Sequence, residues 1–180
     1  MVERERVVIH QLGEDEAQQR SFYRLVHTTR VETEEIKQYL YADCKRQVEE
    51  GTHYLVIQDT TQPNFERNRG NIQNQAGLGV IGNNSALGFL LHPSLVVAAP
   101  SGRCIGYSNV ITWSREAGAA DKEARQYKQQ PLADKESYRW IQAGQQSKQV
   151  LQQAGQLTIL ADREGDITEL FQQLPDELLY

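Results

Sequence analysis

Apolar positions along the chain alternate between helical spacing and short continuous runs. From Glu14 to His27, Ala17, Phe22 or Tyr23, and Leu25 share one face and predict a helix. A second helix is predicted from Thr33 to Glu50. Its acid-rich start suits the positive end of the helix dipole, and Gly51 ends it. His53-Tyr-Leu-Val-Ile-Gln58, apolar and rich in β-branched residues, predicts a buried strand that stops at Asp59. From Gln62 to Asn84 the chain turns to Asn, Gln, Gly and Arg, which predicts a long mobile loop. Leu87 to Ala99 and Arg103 to Trp113 follow as two strands of an antiparallel hairpin, turned by Pro100-Ser-Gly102. The stretch 121–130 is charged and expected to be exposed. Ala133 to Ala154 predicts a helix with Trp140, Ala143 and Val150/Leu151 inward and Gly155 closing it. Leu157-Thr-Ile-Leu-Ala161 is a second buried run, and it stops at Asp162. Asp166-Ile-Thr-Glu169 then has the form of a capping box. It opens an amphipathic helix through Ile167, Leu170, Phe171 and Leu174, which Pro175 stops.

At 180 residues the chain fits one ordinary domain or a large fragment of one, with no repeat or linker dividing it. Its net charge of -5 argues against a generally basic nucleic-acid binder. That charge is local, however. Asp162, Glu164, Asp166, Glu169, Asp176 and Glu177 face the single base Arg163, and the rest of the chain is neutral. Between Arg67 and Arg115 there is no acid, while Arg67, Arg69, Arg103 and Arg115 are positive, so this is the one locally basic stretch. No apolar run approaches the roughly 20 residues a bilayer-spanning helix needs, and Met1 to Gln11 lacks the form of a secretory signal. A cytoplasmic protein with no membrane partner is expected. Cys44 and Cys104 have neither paired spacing nor histidine neighbours, and are read as reduced, packed thiols.

One device recurs: an apolar strand with an aspartate at its carboxyl end, Asp59 in one case and Asp162 in the other. If the two strands are neighbours in a sheet, the carboxylates converge. Two carboxylates held close repel, which favours a divalent cation between them, and oxygen ligands select Mg²⁺ or Mn²⁺ over zinc. Such sites can activate an attacking oxygen and stabilise a leaving one in phosphodiester chemistry. The plain alternative is that each aspartate starts the turn after its strand. Gly77-x-Gly79-x-x-Gly82 matches the dinucleotide fingerprint in form, but it precedes a strand where the fingerprint would open a helix. Asp166 is read as a helix cap and His92 either as a structural histidine or as a catalytic one.

Several segments together carry a family resemblance. Leu55-Val-Ile-Gln-Asp-Thr-Thr61, Gly88-Phe-Leu-Leu-His92 with Leu95 to Ala99, Arg103 to Trp113, Lys135-Glu-Ser137 with Trp140, and Leu160-Ala-Asp-Arg-Glu-Gly-Asp-Ile167 occur in this order. The chain thereby resembles the catalytic domain of DDE-type, cut-and-paste transposases of bacterial insertion sequences, and Tyr23-Arg24 resembles the segment preceding that core. The resemblance implies an α/β, ribonuclease-H-like mixed sheet: three antiparallel strands, then a helix and a fourth strand beside the first, preceded by two helices. Residues 1–51 would be a helical amino-terminal segment and 52–180 a partial catalytic domain, incomplete at its carboxyl end. Asp59 and Asp162 would be the first two acids of the catalytic triad, binding Mg²⁺ or Mn²⁺ for hydrolysis at the transposon end and strand transfer. Arg163 and Glu164 either orient Asp162, as the motif suggests, or form an ordinary exposed pair; Thr60 and Thr61 either touch phosphate or terminate the strand, and Arg67 and Arg69 either contact the DNA backbone or belong to a solvated loop. The implied partners are transposon-end and target double-stranded DNA, with self-association of the full-length protein.

The family's third acid is a glutamate on a helix well beyond the fourth strand. Glu164, Glu169 and Glu177 are too near Asp162 in sequence to replace it. A fifth strand, an insertion subdomain, a dimerisation region and most of the end-reading part are likewise expected to be absent. The expectation is therefore a transposase fragment inactive by itself. The alternatives are a non-catalytic relic or regulator that binds DNA or an intact transposase, and a compact ribonuclease-H-like nuclease with two acids.

Overall fold

The computed structural model describes residues 11, 13–28, 30–82, 85–116 and 131–179. The charged stretch 121–130 and most of the amino-terminal segment compared with a secretory signal lie outside them. The described residues fall into two compact units, divided between Gln38 and Tyr39.

The first unit holds helix α1 (Glu16–His27) and the start of α2 (Thr33–Arg46). Asp15 caps α1 by accepting a hydrogen bond from the Gln18 N–H, with Glu16 in the first turn and Arg24 and His27 in the last, as the helix dipole favours. Helical spacing gives α1 an apolar face, but burial needs a second layer. Among the described residues none of α1 is buried, and Leu25 is 58% exposed. Helix α2 ends short of the expected Glu50. Gln47 and Val48 close tighter turns onto the carbonyls of Cys44 and Lys45, and the Glu49 N–H is taken by the Tyr54 hydroxyl at 2.8 Å. Gly51, with φ of 72°, then turns the chain into the sheet.

The second unit is built on a mixed four-stranded sheet in the order β5-β4-β1-β6. β1 (His53–Gln58), β4 (Leu90–Ala98) and β5 (Cys104–Trp113) are antiparallel neighbours. After β5 the chain crosses over through α3 (Tyr138–Val150) and returns as β6 (Gln156–Leu160), parallel to β1. The turn between β4 and β5 is the expected Pro100-Ser-Gly102, with Gly102 at φ of 69°. Where β6 begins, the chains approach so closely that a Cβ on Gly155 would stand 2.3 Å from the Gly51 carbonyl oxygen. No described helix is long and apolar enough to cross a membrane.

One face of the sheet carries the core. Tyr54 and Val56 of β1, Val96 and Ala98 of β4, Ile105 and Leu157 pack against Trp140, Ile141 and Leu151 around α3, with Tyr41 and Cys44 of α2. Cys44 is fully buried, and that burial pushes its thiol up to about 12. Both cysteines are free, but Cys104 is exposed and not packed as expected, because it starts β5 at the open side of the turn. Along β4 the inward positions change character, from Ala98 and Val96 to Ser94 and His92, and β1 ends likewise on buried Gln58. The core thus becomes polar toward the carboxyl end of β1.

Four further expectations need correction. The described part of the loop expected from 62 to 84 holds regular structure: a 3-10 turn (Glu66–Asn71) leads to β2 (Gly79–Ile81), which pairs antiparallel with β3 (Ala86–Gly88). Val80, Ile81 and Leu87 are its buried apolar side chains, and Phe65 stacks on Phe89 at 6.0 Å. This pair also splits the long strand expected from Leu87 to Ala99, because β3 turns to partner β2 before β4 begins. The helix expected from 133 to 154 is shorter. Leu132–Asp134 is a separate 3-10 turn, and α3 gives way at Leu151. The last helix, α4 (Thr168–Gln173), is capped by no side chain. The acid that caps here is Asp162, whose carboxylate holds the 3-10 turn Arg163–Gly165 one step earlier than the expected Asp166. Leu170 and Leu174 are buried, but Phe171 is 62% exposed. Beyond α4, Leu179 forms a single parallel bridge with Leu157.

Candidate metal-binding site at the strand ends

The parallel ladder of β1 and β6 ends with Ile57 opposite Leu160. Asp59 follows β1 directly and Asp162 lies two residues beyond the end of β6, so both aspartates stand just past the paired ends of neighbouring parallel strands. Neighbouring strands lie about 4.8 Å apart. Side chains two apart share a face, and Ile57 and Leu160 mark that face as open, at 36% and 42% exposure. Both aspartates are exposed there. One oxygen of each is engaged locally: Asp59 accepts from the Thr60 N–H at 2.7 Å and Asp162 from the Glu164 N–H at 2.8 Å. Among the described residues the second oxygen of each carboxylate has no hydrogen-bond partner.

Beneath the aspartates lies a buried polar chain. Thr60 Oγ1 accepts from Arg139 Nε at 3.1 Å and lies 2.9 Å from His92 Nδ1. A hydroxyl carries one proton and two acceptor lone pairs, so Thr60 can accept from both Arg139 and the ring or donate to the ring, while His92 Nε2 is buried with no partner among the described residues. His92 is fully buried and meets Trp140 edge-on at 4.5 Å. Burial, and after it the charge of Arg139, push this imidazole down to about 4, against the opposing pull of the Asp59 backbone carbonyl and the Asp162 charge.

That depressed value has a direct consequence for stability. Between about 6.5 and about 4 the unfolded chain binds a proton at His92 that the folded chain refuses. Stability is therefore full above 6.5, falls as pH drops through this window and levels off below 4, a loss of about 3 kcal/mol from this group. Urea unfolding at pH 7 and pH 4.5 checks this. His92→Gln should flatten the part of the slope that the carboxylates do not explain, and an unchanged slope would show His92 to titrate normally.

The other predicted site residues divide into engaged and exposed. Thr60 and Glu164 both bond Arg139, Thr60 from a half-buried position and Glu164 from an exposed one. Thr61 is exposed and pairs through its backbone with Leu91. Arg67 and Arg163 are exposed. Arg69 is exposed but engaged, by Glu66 at 2.7 Å and the Ser85 carbonyl at 2.9 Å, and its hydrogen bond holds the Glu66 carboxyl below its ordinary range. The locally basic stretch is consequently not a basic surface. Arg103 pairs with Glu49 and Arg115 with Glu136, acids from elsewhere in the chain, which composition along a segment does not reveal. The glycines at 77, 79 and 82 serve the β2 turn and its packing: a Cβ on Gly79 would stand 2.2 Å from the Arg115 carbonyl oxygen.

Arg139 is the site residue that sequence reasoning missed. The available signal was a cation in the first turn of a helix, where the dipole disfavours it, directly before the inward-facing Trp140.

Among the described residues no group of three or more histidine, cysteine or acidic side chains gathers to hold a metal. Two carboxylates, each with an unengaged oxygen, still fit a hard cation such as Mg²⁺, which keeps several of its waters. Compared with known proteins, the chain matches no family model and no curated protein.

Proposed function

We propose that this chain carries the metal-binding part of a DDE-type transposase catalytic domain, a ribonuclease-H-like sheet with Asp59 and Asp162 as the first two acids of its triad. The observation that carries the reading is the parallel pairing of β1 with β6, which brings two aspartates distant in sequence to neighbouring strand ends. The strand order and directions support it: three antiparallel strands, a helical crossover, then a fourth strand beside the first. When bound, Mg²⁺ or Mn²⁺ supplies Lewis acidity for phosphodiester hydrolysis and transfer.

The chain's own contribution is positional. Asp59 and Asp162 each offer one oxygen, the Thr60 and Glu164 N–H groups fix the other, and buried Trp140 and His92 exclude water from the base of the site. The partners are transposon-end and target duplexes, met by exposed Thr61, Arg67 and Arg163, with self-association in the full-length protein. No third acid joins the pair among the described residues. On this reading the isolated chain binds a cation weakly and cuts no DNA.

Filter retention of supercoiled plasmid tests the proposal. The expected result is retention that Mn²⁺ strengthens and a chelator reverses, with the plasmid left intact. Retention indifferent to the chelator favours the regulator reading, in which the fold associates with DNA without a metal site. Nicking in Mg²⁺ that Asp59→Ala abolishes would show the isolated chain to be catalytically complete and the inactivity wrong.

A further inference from the structure

Arg139 occupies an unfavourable place for a cation. It lies in the first turn of α3, and its side chain is only 11% exposed. Long charged side chains are buried to this degree only when paired, and the partners of Arg139 are specific. Nε donates to Thr60 Oγ1 at 3.1 Å, one terminal nitrogen donates to the Glu136 carbonyl at 2.8 Å, and the other pairs with the Glu164 carboxylate. The guanidinium carbon stands 5.3 Å from the Trp113 ring centre and 5.5 Å from that of Trp140, so the planar group is held by two aromatic rings as well.

Thr60 and Glu164 are also the residues whose backbone N–H groups bind the carboxylates, Thr60 that of Asp59 and Glu164 that of Asp162. One guanidinium therefore joins the two short segments that orient the aspartates. From this geometry we infer that Arg139 is a positioning residue, a clasp between Asp59-Thr60 and Asp162-Arg163-Glu164 that fixes the separation of the two carboxylates and so sets their affinity for a divalent cation. The affinity part of this inference rests on the metal-binding reading above.

The sign of the effect separates a clasp from a bystander. A positive charge near a cation site repels the cation, so a bystander arginine replaced by glutamine should leave Mn²⁺ binding unchanged or tighten it. A clasp predicts the reverse. In Arg139→Gln, Mn²⁺ affinity measured by calorimetry should fall about tenfold, the scale on which residues supporting metal ligands act. Arg139→Lys, which keeps the charge and reaches one partner at a time, should fall less, and Glu164→Gln at its exposed position should shift in the same direction with the fold intact. Amide hydrogen exchange supplies a readout that needs no metal. The Thr60 and Glu164 amides should accelerate together in Arg139→Gln while those within the β1 and β6 ladder hold. Unchanged exchange at both amides, with Mn²⁺ affinity equal or higher, would overturn the inference. If the unmodified chain bound no Mn²⁺ but both amides still accelerated in the variant, the metal reading would fall and the clasp would stand.

Discussion

Replacing Asp162 with asparagine is expected to weaken Mn²⁺ binding roughly thirtyfold, the effect of removing one unit charge about 4 Å from a dication even at the dielectric of water. The change is nearly isosteric, and the amide oxygen can still accept from the Glu164 N–H that Asp162 now binds at 2.8 Å. The local turn should therefore survive and the loss should report on charge. Asp59→Asn should behave alike, since Asp59 too stands just past the end of its strand with one oxygen held by a neighbouring backbone N–H. The exposed acids of the final segment provide the control. Glu177→Gln removes the same charge from the same acidic stretch and should leave the affinity nearly unchanged. Calorimetry on the three variants settles it, and equal affinity for Asp162→Asn and the unmodified chain would remove Asp162 from the site.

The second large effect is on stability. Trp140 is fully buried, meets His92 edge-on at 4.5 Å, and has the Arg139 guanidinium 5.5 Å from its ring centre. Trp140→Ala should cost about 3 to 5 kcal/mol through lost burial and the cavity left behind. At roughly 2 to 4 °C per kcal/mol for a chain of this size, the melting temperature should fall by about 6 to 20 °C. The effect should also reach the site, because burial is the first cause of the depressed His92 value and this ring lies directly against the imidazole. An upward shift of the His92 titration, followed by NMR, should accompany the loss of stability. A change below about 1 kcal/mol would mean that the layer between α3 and the sheet repacks freely, and the site would then have no rigid base.

What the sequence made legible follows from how local each signal is. β1 and β6 could be read because buried strands are short apolar runs, and their ends because each stops at an aspartate. The β4–β5 turn could be read because Pro100-Ser-Gly102 has only a few conformations open to it. The pairing of β1 with β6 could not be read from either strand alone, since register is a property of two distant segments; only the resemblance suggested it. The β2–β3 pair was hidden because its three buried apolar side chains, Val80, Ile81 and Leu87, are diluted among Asn, Gln and Gly. The basic stretch misled for the same reason, its arginines finding Glu49 and Glu136 across the fold. Arg139 went unremarked because its partners Thr60 and Glu164 lie far from it in sequence, and no spacing rule connects them.

The most direct test of the metal-binding account is Mn²⁺ titrated into isotopically labelled chain, with paramagnetic broadening followed residue by residue. The account predicts that the amides of Asp59, Thr60, Asp162 and Glu164 broaden first and together, and that Asp162→Asn abolishes this focus. Broadening that begins instead at Glu169, Asp176 or Glu177 would contradict it, placing the cation on the acidic final segment and leaving the two strand-end aspartates as the starts of ordinary turns.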